Sequence, residues 1–203
     1  MKTIFAALAV CFFASAPALA QTALVVPACG GQALTAGNIK PLAQDGTGVL
    51  CTVSVGTTQV TATPTVTASS AYTAGNAVGG LVTLSTINRQ SGASIYVQSV
   101  AVQSKSLQSS QIDVVFFNAN PSGSTCTDKT AFSVATADAA KMVGVAHVSD
   151  WTASALGSVG QMQQPPIGIA VPATSLYACL VTRGTPTYTS TSDISLTVFS
   201  VLN

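Results

Sequence analysis

The chain has 203 residues, with seven Lys or Arg, six Asp, no Glu, one His and a formal net charge of +1. So sparse and balanced a charge excludes the basic footprint that nucleic acid or anionic lipid requires. The residues that stabilise exposed helices are nearly missing while Thr, Val and Ser abound, which points to pleated sheet.

In chain order, the first element is "MKTIFAALAVCFFASAPALAQ". One lysine, an apolar run and Ala18-Leu19-Ala20 have the order of a secretory signal, too short to span a bilayer. Cleavage after Ala20 is expected, so residues 1–20 are read as a removable leader. The remaining chain is expected in the periplasm or outside the cell, with no membrane span. Beyond the leader lie Cys29, Cys51, Cys126 and Cys179. Four cysteines in an exported chain imply two disulfides and allow three pairings. Cys29 with Cys51 and Cys126 with Cys179 is the favoured set, because each pair flanks one sequence region.

Residues 21–60 read as a small disulfide-closed hairpin arm, turning at Asp45-Gly46-Thr47-Gly48, where Asp and Gly tolerate positive φ. The Thr-rich stretch "TTQVTATPTVTASSAYTAG" that follows is either an extended linker or an edge strand, the position where Pro64 is tolerated. Residues 61–203 form the main domain. Strand-like runs recur there at Leu81–Ile87, Ser94–Ser104, Ser110–Asn118, Ile167–Pro172, Leu176–Arg183 and Ile194–Leu202. Both faces of "IDVVFF" are apolar, so this run is expected as a central strand with one side in the core and the other partly covered. Breaks in alternation place a bulge at Gln98 and Ser99 and another near Phe199 and Val201. A short helix is expected in "TADAAKMVG", capped by Thr136, with Asp138 early and Lys141 late. The fold class is therefore all-β: an antiparallel, jelly-roll-like β-sandwich with a small N-terminal hairpin region and one short helix.

The segments "AYTAGNAVGGLVTL", "DVVFFNANPSGST", "FSVATADAAKMVGV" and "SLYACLVTRGTPTYTSTSDISLTVF" resemble accessory proteins encoded among bacteriophage and prophage virion genes. The resemblance covers roughly residues 65 to 203. It rests on the "FFNANP" strand end, the turn bearing Asp138 and the Arg183-Gly184-x-Pro186-x-Tyr188 corner. It implies a β-rich virion or virion-associated component.

Catalytic signatures are wanting. His147 lies beside Asp150 and Trp151, but no G-x-S-x-G nucleophile elbow occurs. Asp45-Gly46-Thr47-Gly48 lacks the later ligands of a calcium loop, and Gly79-Gly80 reads as a turn, with no lysine following to make a phosphate cradle. The chain is read as non-enzymatic, without metal or cofactor, acting as a decoration or tail-associated interaction protein. The alternative is a host-exported adhesin-like or carbohydrate-binding β-domain. Its partner is then a virion or cell-surface protein, or a surface glycan, and a homo-oligomer is compatible with either. The expected contact surface is a loop end formed by Asn118, Asn120, Arg183 and Tyr188, since Arg and Tyr concentrate binding energy and loops commonly carry recognition.

Overall fold

Alternation of inward and outward side chains sets the architecture seen in a computed structural model, which describes residues 56–88 and 91–202. The leader, the hairpin arm to residue 55, its Asp45-Gly46 turn and the Cys29–Cys51 pairing lie outside the described residues. Nine antiparallel strands follow: β1 Thr57–Ala62, β2 Ala77–Leu84, β3 Ser94–Ser104, β4 Ile112–Phe117, β5 Met142–Ser154, β6 Gly157–Met162, β7 Ile167–Ala170, β8 Leu176–Thr182 and β9 Ile194–Leu202. Their hydrogen-bonded path runs β1-β9-β3-β6-β5-β4-β8-β2, with β7 beside the first half of β3. The result is an all-β antiparallel sheet, strongly curled into a half-barrel. The path is continuous, so the two stacked sheets of the expected sandwich are not drawn separately in it.

Strands β3 and β9 keep the bounds their alternation predicts. They pair from Ile95↔Leu202 to Ser104↔Ile194, with Gln98 left over where the register shifts between Val97 and Ser99. The Gln98 bulge is therefore as expected. The second expected bulge is not in β9, whose pairing with β1 runs without a shift from Thr57↔Val201 to Ala62↔Leu196. Instead Ser200 continues the buried face and donates to the Ile87 carbonyl at 3.1 Å, leaving Phe199 outside. A hydroxyl with a backbone acceptor can sit in an apolar interior, so the period needs no correction. Residues 57–62 thus adopt the edge-strand reading of the Thr-rich stretch.

The curl is held by residues 63–76, which cross from the β1 edge to the β2 edge. Val66 and Tyr72 donate their amides to Thr191 and Pro186 at 3.0 and 2.9 Å, and Gly75 donates to Thr182 at 2.7 Å. Pro64 then packs on Gly79: a Cβ there would lie 2.3 Å from the proline's own. Gly79 and Gly80 both have positive φ and form a bulge inside β2 rather than the expected turn. Glycine tolerates that backbone, and here it also makes room for the close approach.

Every residue of β4 is buried. Ile112, Val114 and Phe116 enter the main core, whereas Val115 and Phe117 form a second cluster with Cys126, Cys179 and Val181 on the outer side. The connection 118–135 covers that side, and Cys126–Cys179 bonds it to β8 across 53 residues of sequence. A disulfide there suggests an oxidising compartment.

The expected helix is a 3-10 turn, Thr136–Lys141, whose N-cap is Ala135 without a side-chain cap, so Thr136 does not cap it. Asp138 provides the anchoring instead. Its carboxylate accepts from the Gly123 amide and the Ser124 hydroxyl at 2.8 Å each and pairs with Lys141 at 2.7 Å. The Lys141 and Ser124 bonds hold this carboxyl below its ordinary range. At the opposite end of the fold, burial alone would raise Asp193, but bonds from Ser106, Ser104 and Thr189 outweigh it and hold that carboxyl low too.

A depressed folded-state value means that these two groups stabilise the fold above about pH 4 and that their contribution is lost as pH falls through the folded values. Asp193→Asn is therefore expected to lower stability at neutral pH and flatten the acid limb of a melting-temperature profile. An acid limb unchanged in slope would show that Asp193 takes no part in it.

Candidate functional site

Charge divides the half-barrel into two unlike regions. Strands β1, β3, β6, β7 and β9 contain no Asp, Glu, Lys, Arg or His. Strands β2 and β8 contain none either, so the charged or titratable strand residues of these types are Asp113 on β4 and His147 and Asp150 on β5, with Arg183 just beyond β8.

There Asp113 is buried, and two partners share its carboxylate. His147 Nδ1 lies 2.8 Å from Oδ1, while Arg183 Nε donates to Oδ2 at 2.6 Å and Nη2 bonds the same oxygen. Strand pairing brings them together, because Asp113 faces His147 on β5 and Val181 on β8, two residues before Arg183. Both partners remain more than half exposed, at 58% and 54% of their side-chain surface. The arrangement satisfies a buried carboxylate with charge-assisted bonds and fixes the His147 ring, with Nε2 on the far side. Among the described residues, no three His, Cys or Asp come together as metal ligands.

The predicted contact residues do not meet at one end. Tyr188 is 1% exposed and stacks edge-on against Tyr72, ring centres 5.2 Å apart. Burial pushes both phenols up, Tyr72 further through its bond to Asp128 and Tyr188 further through the neighbouring Tyr72. Tyr188 thus braces the corner from inside. Asn118 and Asn120 follow the last residue of β4, whereas Arg183 lies beside its first, its amide donating to Gln111 at 2.8 Å. A six-residue strand separates them by roughly 20 Å. The two asparagines hold the 3-10 turn instead: the Asn118 amide donates to the Lys141 carbonyl at 3.0 Å, and Lys141 Nζ donates to the Asn120 carbonyl at 2.8 Å. Of the four, Arg183 joins a cluster of chemical groups on the surface.

The charge-free region presents a different surface. Tyr96 on β3 and Phe199 on β9 are 45% and 38% exposed. Beside Phe199 the Gln98 bulge opens a hollow of about 420 Å³ lined by Thr57, Gln98, Ser99, Phe199, Ser200 and Val201. Around it the outward residues are Thr and Gln: Gln59 pairs with Phe199, and Thr61 and Thr197 join hydroxyls at 3.1 Å. The broken alternation at Gln98 was the sequence signal for this hollow, but nothing local showed that Thr57 and Val201 would complete it.

No helix among the described residues is long and apolar enough to cross a membrane. Comparison with protein-family models, curated proteins and solved structures finds no match.

Proposed function

We propose that the chain is a non-catalytic structural and interaction protein, virion-associated as a decoration or tail component, which acts through the charge-free outer face of β1, β9 and β3. The observation that carries the binding role is the hollow at Gln98 beside Phe199, with Tyr96 exposed two residues before Gln98 on the same strand, on strands without charged side chains. Desolvating such a face avoids the large cost of stripping ions, and its aromatic rings supply contact area. The virion placement is supported by the sequence resemblance of residues 65–203, and the jelly-roll-like packing of the curled sheet belongs to the same proposal. The aspartates support a role without reaction chemistry: Asp113, Asp128, Asp138 and Asp193 are all engaged in holding strands and loops.

A second reading, an exported adhesin-like or carbohydrate-binding domain in the periplasm or outside the cell, is favoured by Tyr96 beside hydrogen-bonding Gln98 and Ser99. A neutral sugar offers one face for stacking and hydroxyls for amide side chains.

Tyr96→Ala and Phe199→Ala test the face. Each is expected to weaken attachment about tenfold, as loss of a central aromatic contact does, with little change in melting temperature. Loss of binding to purified particles supports the first reading, and loss of binding to immobilised neutral glycans the second. Attachment unchanged in both variants would remove this face from consideration.

A further inference from the structure

The outer row of β4 begins with a charge where an apolar side chain would fit. Asp113, Val115 and Phe117 alternate to one side, and the last two belong to the second cluster with Val181, the residue that Asp113 faces on β8. Burying a carboxylate in that row is costly, and a buried ion pair is seldom a net gain over apolar residues of similar volume. Stability alone therefore gives little reason for Asp113. Its effect is on its two partners, which it holds in fixed positions at the surface.

The carboxylate that pairs with Arg183 can only accept, so His147 Nδ1 donates in their 2.8 Å contact, and Nε2 of the neutral ring is left as an acceptor. A guanidinium has five N–H donors in a planar fork, and Asp113 Oδ2 engages Nε and Nη2. Among the described residues, no acceptor bonds the remaining Nη1 edge. Lys105, Lys129 and Lys141 by contrast turn their ammonium groups to oxygens of Ser192, Ser70 and Asp138. The backbone behind the pair is fixed as well. Gln164 accepts from the His147 amide at 2.9 Å and donates to the Val145 carbonyl at 2.8 Å, while the Arg183 amide bonds the Gln111 carbonyl. Bonding opposite oxygens of one carboxylate keeps the two side chains adjacent. A donor edge and an acceptor thus stand together, each on a side chain more than half exposed, with little freedom left to lose on binding.

We propose that Arg183 and His147 bind an acidic sugar, a hexuronic acid residue of a polysaccharide, whose carboxylate accepts from the free guanidinium edge while a ring hydroxyl donates to His147 Nε2. The planar fork matches a carboxylate, and the acceptor nitrogen favours an anion that also has a hydroxyl to give. A metal cation at Nε2 would be opposed by the guanidinium beside it. The site lies off the charge-free strands β1, β3 and β9, so it stands or falls independently of the face at Phe199.

The chain has one histidine, so imidazole signals in nitrogen-15 NMR spectra of the full chain report on this site alone. Oligogalacturonate at neutral pH is expected to shift the Nε2 signal. A neutral galacto-oligosaccharide, the hydroxyl-free dicarboxylate glutarate and inorganic phosphate should each need at least about tenfold more to do so. In calorimetric titrations, Arg183→Lys keeps the charge but loses the fork and should weaken oligogalacturonate binding about tenfold. His147→Gln leaves the Arg183–Asp113 pair in place and should abolish the preference for galacturonate over glutarate, with melting curves checking that both variants fold. An Nε2 signal that oligogalacturonate does not move, or that glutarate or phosphate moves equally well, would overturn the proposal. So would parent-like affinity in Arg183→Lys, or tighter binding of an acidic peptide than of oligogalacturonate, which would assign the site to a protein.

Discussion

Replacing Cys126 and Cys179 together by alanine is expected to lower the free energy of unfolding by about 4 kcal/mol, the chain-entropy value for a bond closing 53 residues. Two effects act in the same direction. The unfolded chain regains the conformations that the bond removes, and the cover over Val115, Phe117 and Val181 loses its covalent tie to β8. Opposing them are the noncovalent anchors of the same connection, Asp128 on one side of Cys126 and Asp138 on the other. Urea titration of parent and variant under non-reducing conditions, which keep the parent's bond intact, measures the balance. A loss below about 1 kcal/mol would mean that the aspartate anchors hold the connection without the bond.

Asp128→Ala is the second large effect, expected at about 3 kcal/mol. Its Oδ1 accepts from Tyr72 Oη at 2.8 Å and the Gly79 amide at 2.6 Å. Its Oδ2 accepts from the Thr67 amide and hydroxyl at 2.9 and 2.7 Å. One carboxylate thus ties the strap across the half-barrel to the bulge in β2. Alanine leaves the part-buried Gly79 and Tyr72 donors without this acceptor, and each such loss costs on the order of 1–3 kcal/mol, discounted here for partial exposure. Asp128→Asn should cost about half as much, since the amide keeps one acceptor but turns a donor toward donors. Equal losses in the two variants, measured by chemical denaturation, would show that shape rather than acceptor count governs the site.

What was legible beforehand follows from how local each signal is. β3 and β9 alternate over nine or more residues, so their bounds could be read directly. The sequence carries no local signal for the β5–β6 hairpin. Its turn, Ala155-Leu156, lacks the Asn-Gly or Asp-Gly signature, and β5 slips register between Val148 and Asp150. Much of its outward face is small or polar, and Trp151 packs over Gly160, where a Cβ would lie 2.5 Å from the indole. Tyr188 had the composition of a contact residue, but its burial against Tyr72 depends on a strap 116 positions earlier in the chain. The Asp113, His147 and Arg183 cluster depends on two strand registers at once, with partners 34 and 70 residues away. Residue type alone could not assemble it.

The pairing of β1 with β9 also governs when the fold can form. Thr61 and Thr197 meet across 136 positions, and β3 takes one whole edge from the same late strand. During synthesis, neither β1 nor β3 has that partner until the ribosome has passed residue 202. Such long-range pairings make folding slow, because loop entropy is lost before the contacts compensate. Strands β3 to β6 can pair among themselves earlier, so the last strand closes one side of a sheet whose other side is already paired.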